Sequence, residues 1–273
     1  MKIQIPYFEK PEQKYAYLRQ HKTTMLAMKK ASIKHADGVC TSFYLPEKSI
    51  KQASKELVLP EKPETLNKIH IVPVINTTNI LDSHNDVHIN GIWNRSVNDT
   101  KRKRLLLQEH LMKFDHIISD EVSVSVKTVD WAYLGESYPG KTEALIYDCL
   151  AERQRNDYMF NNYVKGWVDA HSVGMLYIQL FLCMNSDSKY DVEEKNNWEK
   201  YYQLIVNKEM ADNNGYFWAV TEAKEIEGSA VPIGSCPVTP TMIVEDAEGS
   251  EKSTLINAPE KSTHKNAYSL FNY

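Results

Sequence analysis

From Val122 to Val126 valine occupies every second position, and Ser123, Ser125 and Lys127 fill the places between and after. Side chains alternate across a strand with a period of two, so the stretch presents one apolar and one polar face. A strand of this kind belongs in an antiparallel sheet with one covered and one solvated face. It does not suit a doubly wound parallel sheet, whose strands read as continuous apolar runs. With 273 residues, 42% of them hydrophobic, the chain can bury the core such a sheet needs.

Other segments fit the same plan. "KIHIVPVINTT" (68–78), "RLLLQEHLM" (104–112), "SVGMLYIQLFLCMN" (172–185) and "YFWAVTEAKEIEGSAVPIG" (216–234) have the β-branched or short apolar character of strands. "GVCTSFYL" (38–45) adds another strand, and the charged stretch after it a short helix. A proline opens a helical pattern over 11–34 with Tyr15, Leu18, Met25 and Met28 as its apolar positions. Helical structure is also expected over 94–104, over 140–166 and around Trp198, the last closed by "NNG". Strands and helices follow no βαβ rhythm, which predicts an α+β fold with a mostly antiparallel β-barrel or sheet flanked by helices. The division expected is residues 1–68 leading into the core, a central domain over 69–241 with an insertion at about 186–214, and a polar, disordered tail over 242–273.

Composition excludes several classes. A formal charge of −4 with one dense basic run, "KRKR" at 101–104, gives no footprint for generic nucleic-acid binding, and that run reads as a solvated strand start. Cys40, Cys149, Cys183 and Cys236 are far apart and form no CxxC pair, the pattern of reduced thiols rather than of a disulfide framework. No signal-peptide core and no 18-residue apolar run occurs, so a soluble, non-exported chain is expected.

Candidate chemistry begins at "DAHSVGM" (169–175), where Ser172 opens an apolar strand and Gly174 follows two residues later. A serine hydroxyl needs a base to take its proton, and that base needs an acceptor to hold its tautomer. The glycine would let a substrate approach the backbone, and the Val173 and Gly174 amides could face an oxyanion. His110 closes "RLLLQEH", and Glu227 sits among apolar neighbours in "EIEGSAVPIG". Taken singly, each reads more readily as an ordinary structural polar residue of a strand than as a catalytic one.

Together, "QEH" at 108–110, "VKGWVDAHSVGM" at 164–175 and "EIEGSAVPIGSCPVTPT" at 225–241 resemble the phage prohead (capsid maturation) serine proteases, relatives of the herpesvirus assemblin fold. "NILDSHNDVHINGIWNRSV" at 79–97 is similar to an early segment of that family. The resemblance implies a barrel flanked by helices and an endopeptidase working through an acyl-enzyme without a cofactor. Ser172 would be the nucleophile, His110 the base and Glu227 the acid. It further implies scaffold and major capsid protein segments, and the chain itself, as substrates inside an assembling prohead in the host cytoplasm. A homodimer is compatible with it; nucleic-acid specificity and a membrane are not expected. The chain departs from the family at Ser235-Cys236 and in the longer 186–214 connection. Because the assemblin relatives use a second histidine, His171 and His116 remain alternatives for a triad place.

Two other functions compete. His84 and His88 are four apart with Asp82 and Asp86 interleaved, and with His110 or His116 they could form a zinc hydrolase site, although the segment is turn-like. A virion or scaffold component that keeps the fold without catalysis is the non-enzymatic alternative.

Overall fold

The structure is a computed structural model, and it describes residues 5–31, 33, 65–99 and 101–247. The strand expected over 38–45, the helix after it, and Cys40 lie outside the described residues. The elements in chain order are helix α1 (Pro11–Ala31), strands β1 (Lys68–Thr77) and β2 (Asp86–His88), helix α2 (Asn94–Val97), then β3 (Leu106–Gln108), β4 (Ile117–Ser119), β5 (Glu121–Asp130) and β6 (Lys141–Glu152). After them come α3 (Asp157–Val164), β7 (His171–Met184), α4 (Val192–Tyr202), α5 (Lys208–Asn214), β8 (Tyr216–Ala230) and β9 (Thr241–Asp246).

The valine-alternating segment is β5. It pairs antiparallel with β6 in unbroken register from Glu121 opposite Leu150 to Asp130 opposite Lys141. Val122, Val124 and Val126 turn toward the main apolar core, as the period of two requires. This first sheet has the order β5-β6-β1-β9 and is antiparallel throughout. The second has the order β2-β8-β3-β4, with β7 on the opposite edge of β8. There β7 and β8 run antiparallel, while β2 and β3 run parallel to β8. Ile69, Ile71, Leu145 and Tyr147 of the first sheet meet Leu106, Val173, Met175 and Trp218 of the second in one core.

The α+β class is as the sequence predicts, but among the described residues neither sheet closes on itself, so they form no barrel. The chain crosses from the second sheet to the first at Asp120, between β4 and β5, and among the described strands β7 pairs with β8 alone, which leaves the two layers open.

Three local expectations also change. Residues 141–152, expected to be helical, are a strand, because β5 and β1 flank them on both sides and burial overrides the helix-forming Glu, Ala and Leu. The helix expected over 94–104 is a single turn. Residues 242–246, expected in the polar tail, belong instead to the strand Thr241–Asp246 on the edge of β1, and the rest of that tail, 248–273, lies outside the described residues. The 186–214 insertion supplies α4 and α5; α4 covers β7 beside α1.

Candidate active site

The ends of β3 and β8 and the start of β7 meet at one end of the second sheet. Ser172 stands opposite Ser229, and Gly174 opposite Glu227. Directly opposed residues share a face, and so do residues two apart on one strand. Ser172, Ser229 and Glu227 therefore lie on the same side of the β7–β8 ladder. Gly174 is what makes room there: a Cβ at that position would overlap Glu227 Oε1. The space was expected to admit substrate; it is filled by the acid itself.

His110 reaches this face from β3, which pairs Leu107 with Ser229 and Gln108 with Ala230. The strand ends at Gln108, and Leu111 N–H closes a tight turn on Gln108 O at 3.0 Å. Both central residues of that turn are left-handed, Glu109 at φ 53° and His110 at φ 59°. Neither is glycine, so the backbone carries strain of about 1–3 kcal/mol per residue, a kind that clusters at functional sites. The turn folds the imidazole back over β8. Its Nδ1 donates to Glu227 Oε1 at 2.6 Å, with the two side chains only 7% and 1% exposed. That bond fixes the tautomer and leaves Nε2 as the proton acceptor.

Ser172 is 4% exposed. Its predicted hydrogen bond to His110 is not formed among the described residues. The structure thus brings Ser172, His110 and Glu227 to one face and joins the second and third. Contacts to a nucleophile are often long without substrate.

A second carboxylate lies two residues away. The register shifts by one residue, Ile226, between the Gly174–Glu227 and Met175–Glu225 pairs, a bulge of the kind found beside active sites. Glu225 is fully buried and held by Arg102, Arg104 and the Tyr147 hydroxyl. This corrects the expected role of "KRKR": Arg102 and Arg104 serve a buried acid, while Lys103 reaches Asp120 at 2.7 Å. With Glu225 matched by two guanidinium groups, Glu227 is left to His110.

The other histidines are placed elsewhere. His171 points to the opposite face from Ser172; its Nδ1 donates to Thr239 O and its Nε2 accepts from Tyr163 O–H, each at 2.9 Å. Burial pushes its imidazole down to about 4, so it is neutral near pH 7. His116 pairs with its neighbour Asp115 at 2.8 Å. Neither takes a triad position.

The zinc constellation is not assembled. His88 lies on β2 in a buried chain: Trp93 Nε1 donates to Asn76 Oδ1, Asn76 Nδ2 to His88 Nδ1, His88 Nε2 to the Tyr177 oxygen, and Tyr177 O–H to Asp86 Oδ2. Lys29 of α1 closes it on Asp86 Oδ1. His84 stays in the turn, where Asp82 accepts its backbone N–H at 2.7 Å. Burial and the neighbouring Asp86 raise the Asp82 carboxyl to about 7. Among the described residues no group of three or more His, Cys, Asp or Glu is arranged to hold a metal ion. No helix among them is long and apolar enough to cross a membrane.

Sequence reasoning passed over Ser229, Glu225 and the two arginines. A period-two count backward and forward from Glu227 marks the first two as its strand neighbours. Nothing local in "KRKR" reveals an acid more than a hundred residues away. No family model, no curated protein and no solved structure matches this chain.

Proposed function

We propose that the chain is a serine endopeptidase acting through an acyl-enzyme, with Ser172 as nucleophile, His110 as general base and Glu227 as the acid that orients it. The observation that carries this is the 2.6 Å bond from a strained-turn imidazole to a buried glutamate, on the same face of the same ladder as a buried serine. His110 Nε2 takes the Ser172 proton as Oγ attacks a peptide carbonyl, then returns it to the leaving amine. Glu227 steadies the imidazolium between the two transfers. Water then repeats the attack on the ester and frees Ser172.

The resemblance to the phage prohead proteases supplies the substrate class: scaffold and major capsid protein segments, and this chain, inside an assembling prohead of an infected cell. No cofactor is needed for that chemistry. A Ser172 that makes no hydrogen bond to His110 Nε2 would also suit a catalytically silent virion or scaffold component with this fold, and one experiment separates the two. A fluorophosphonate probe should label the wild-type chain at Ser172, and Ser172→Ala should take no label. His110→Ala should slow labelling on the order of 10²–10⁴-fold. Labelling that persists in Ser172→Ala, or a wild type that stays unlabelled at Ser172 across pH 6–9, rules out the protease.

A further inference from the structure

We propose that Ser229 is a positioning residue that locks the acid and the base to each other; this rests on the triad proposed above. Its hydroxyl donates to Glu227 Oε2 at 2.7 Å and accepts the backbone N–H of His110 at 3.1 Å. Glu227 therefore has its two oxygens divided, Oε1 to His110 Nδ1 and Oε2 to Ser229.

A hydroxyl has one proton to give and two lone pairs to offer. Here the proton is committed to a carboxylate and one lone pair to a main-chain amide. With its proton on Glu227 and the His110 amide on its oxygen, Ser229 is committed as a support and is no rival to Ser172 across the ladder. One side chain holds two things that sequence places 117 residues apart: the rotamer of the acid and the backbone of the base. Both need holding. Gly174 leaves the Glu227 carboxylate lying over the β7 backbone, in the place a Cβ at 174 would take. The Glu109–His110 turn sits in the left-handed region, which non-glycine residues leave unless tethered. Ser229 tethers it from below, while Glu109 N–H bonds Ala230 O at 2.9 Å.

The test uses the full chain as Ser229→Ala and Ser229→Thr. Three quantities are read: the rate of fluorophosphonate labelling at Ser172, its pH profile from 5 to 9, and the proton NMR resonance of the His110 Nδ1–H. In Ser229→Ala, labelling should slow on the order of 10- to 100-fold, the range for losing a partner that orients a working imidazole. The pH profile should move, and the resonance should shift upfield and broaden. Ser229→Thr keeps the hydroxyl and should restore all three. If its extra methyl disturbs folding, Ser229→Ala decides alone, since it only removes an atom. A Ser229→Ala chain with wild-type rate, profile and resonance overturns the proposal. Should the wild type not label at all, the protease reading fails, and the resonance still decides whether Ser229 locks the pair.

Discussion

At the scale of single residues, the site is a problem of placing charge where water is absent. Two carboxylates enter the interior on one strand, and each needs its own compensation, because an unpaired buried charge is far costlier than a paired one. Glu225 has two arginines; Glu227 has an imidazole and a hydroxyl. The space for the second arrangement depends on Gly174, so Gly174→Ala should cut Ser172 labelling by more than 10-fold and cost about 1–3 kcal/mol in urea unfolding. His171 makes a separate prediction. Its folded value of about 4 lies below the ordinary 6.5, so as pH falls through that window the unfolded chain takes a proton that the fold refuses. Stability is therefore full above about 6.5 and is lost toward 4, by about 3 kcal/mol for this one group. His88 acts in the same direction, whereas Asp82, raised to about 7, adds stability at low pH that is lost as pH rises from 3.8. His171→Gln should flatten the acid limb: urea midpoints at pH 7 and pH 5 should lie closer together than in the wild type.

At the scale of elements, what the sequence makes legible is whatever a short window contains. The β5 alternation, the long β7 and α1 are written in local periodicity, and Leu18 and Met25 of α1 are buried as expected. The strand β6 is not, because its Glu, Ala and Leu favour a helix until β5 and β1 bond it from both sides. The candidate site divides the same way. Ser172, His110 and Glu227 stand out as polar residues at the ends or interior of apolar strands, while the role of Ser229 exists only once β3 lies beside β8. Lys29 is a further case, one of the two lysines ending a surface-looking helix, yet 3% exposed with its ammonium on Asp86. Lys29→Met should leave that carboxylate buried without its cation and cost about 3–5 kcal/mol. Lys29→Met with Asp86→Asn removes the charge and should recover most of it, since Asn still accepts from Tyr177. Guanidinium unfolding of the two variants checks both values.

At the scale of the whole molecule, the two sheets are not independent, and β9 shows why. It covers the outer edge of β1, and its first residue, with the loop before it, holds the other layer. Thr239 Oγ1 bonds both the N–H and the C=O of His171, one residue before Ser172, and Thr241 Oγ1 donates to Val168 O at 2.6 Å. The chain after β8 thus ties the start of β7 to the edge of the first sheet and fixes the strand of Ser172 from behind. Truncation should then be sharply position-dependent. A chain ended after Ala247 keeps every one of these bonds, while one ended after Pro240 loses β9, which buries Met242 and Val244 in two core clusters. Removing two such side chains from water-free surroundings forfeits about 3–6 kcal/mol, before the ladder hydrogen bonds are counted. That is comparable with the 5–15 kcal/mol by which domains are stable at all. The Pro240 truncation should melt at least 10 °C below the Ala247 truncation, by circular dichroism at equal concentration, and label poorly at Ser172. Equal melting temperatures would mean that β9 is an ornament on β1 rather than the clasp between the layers.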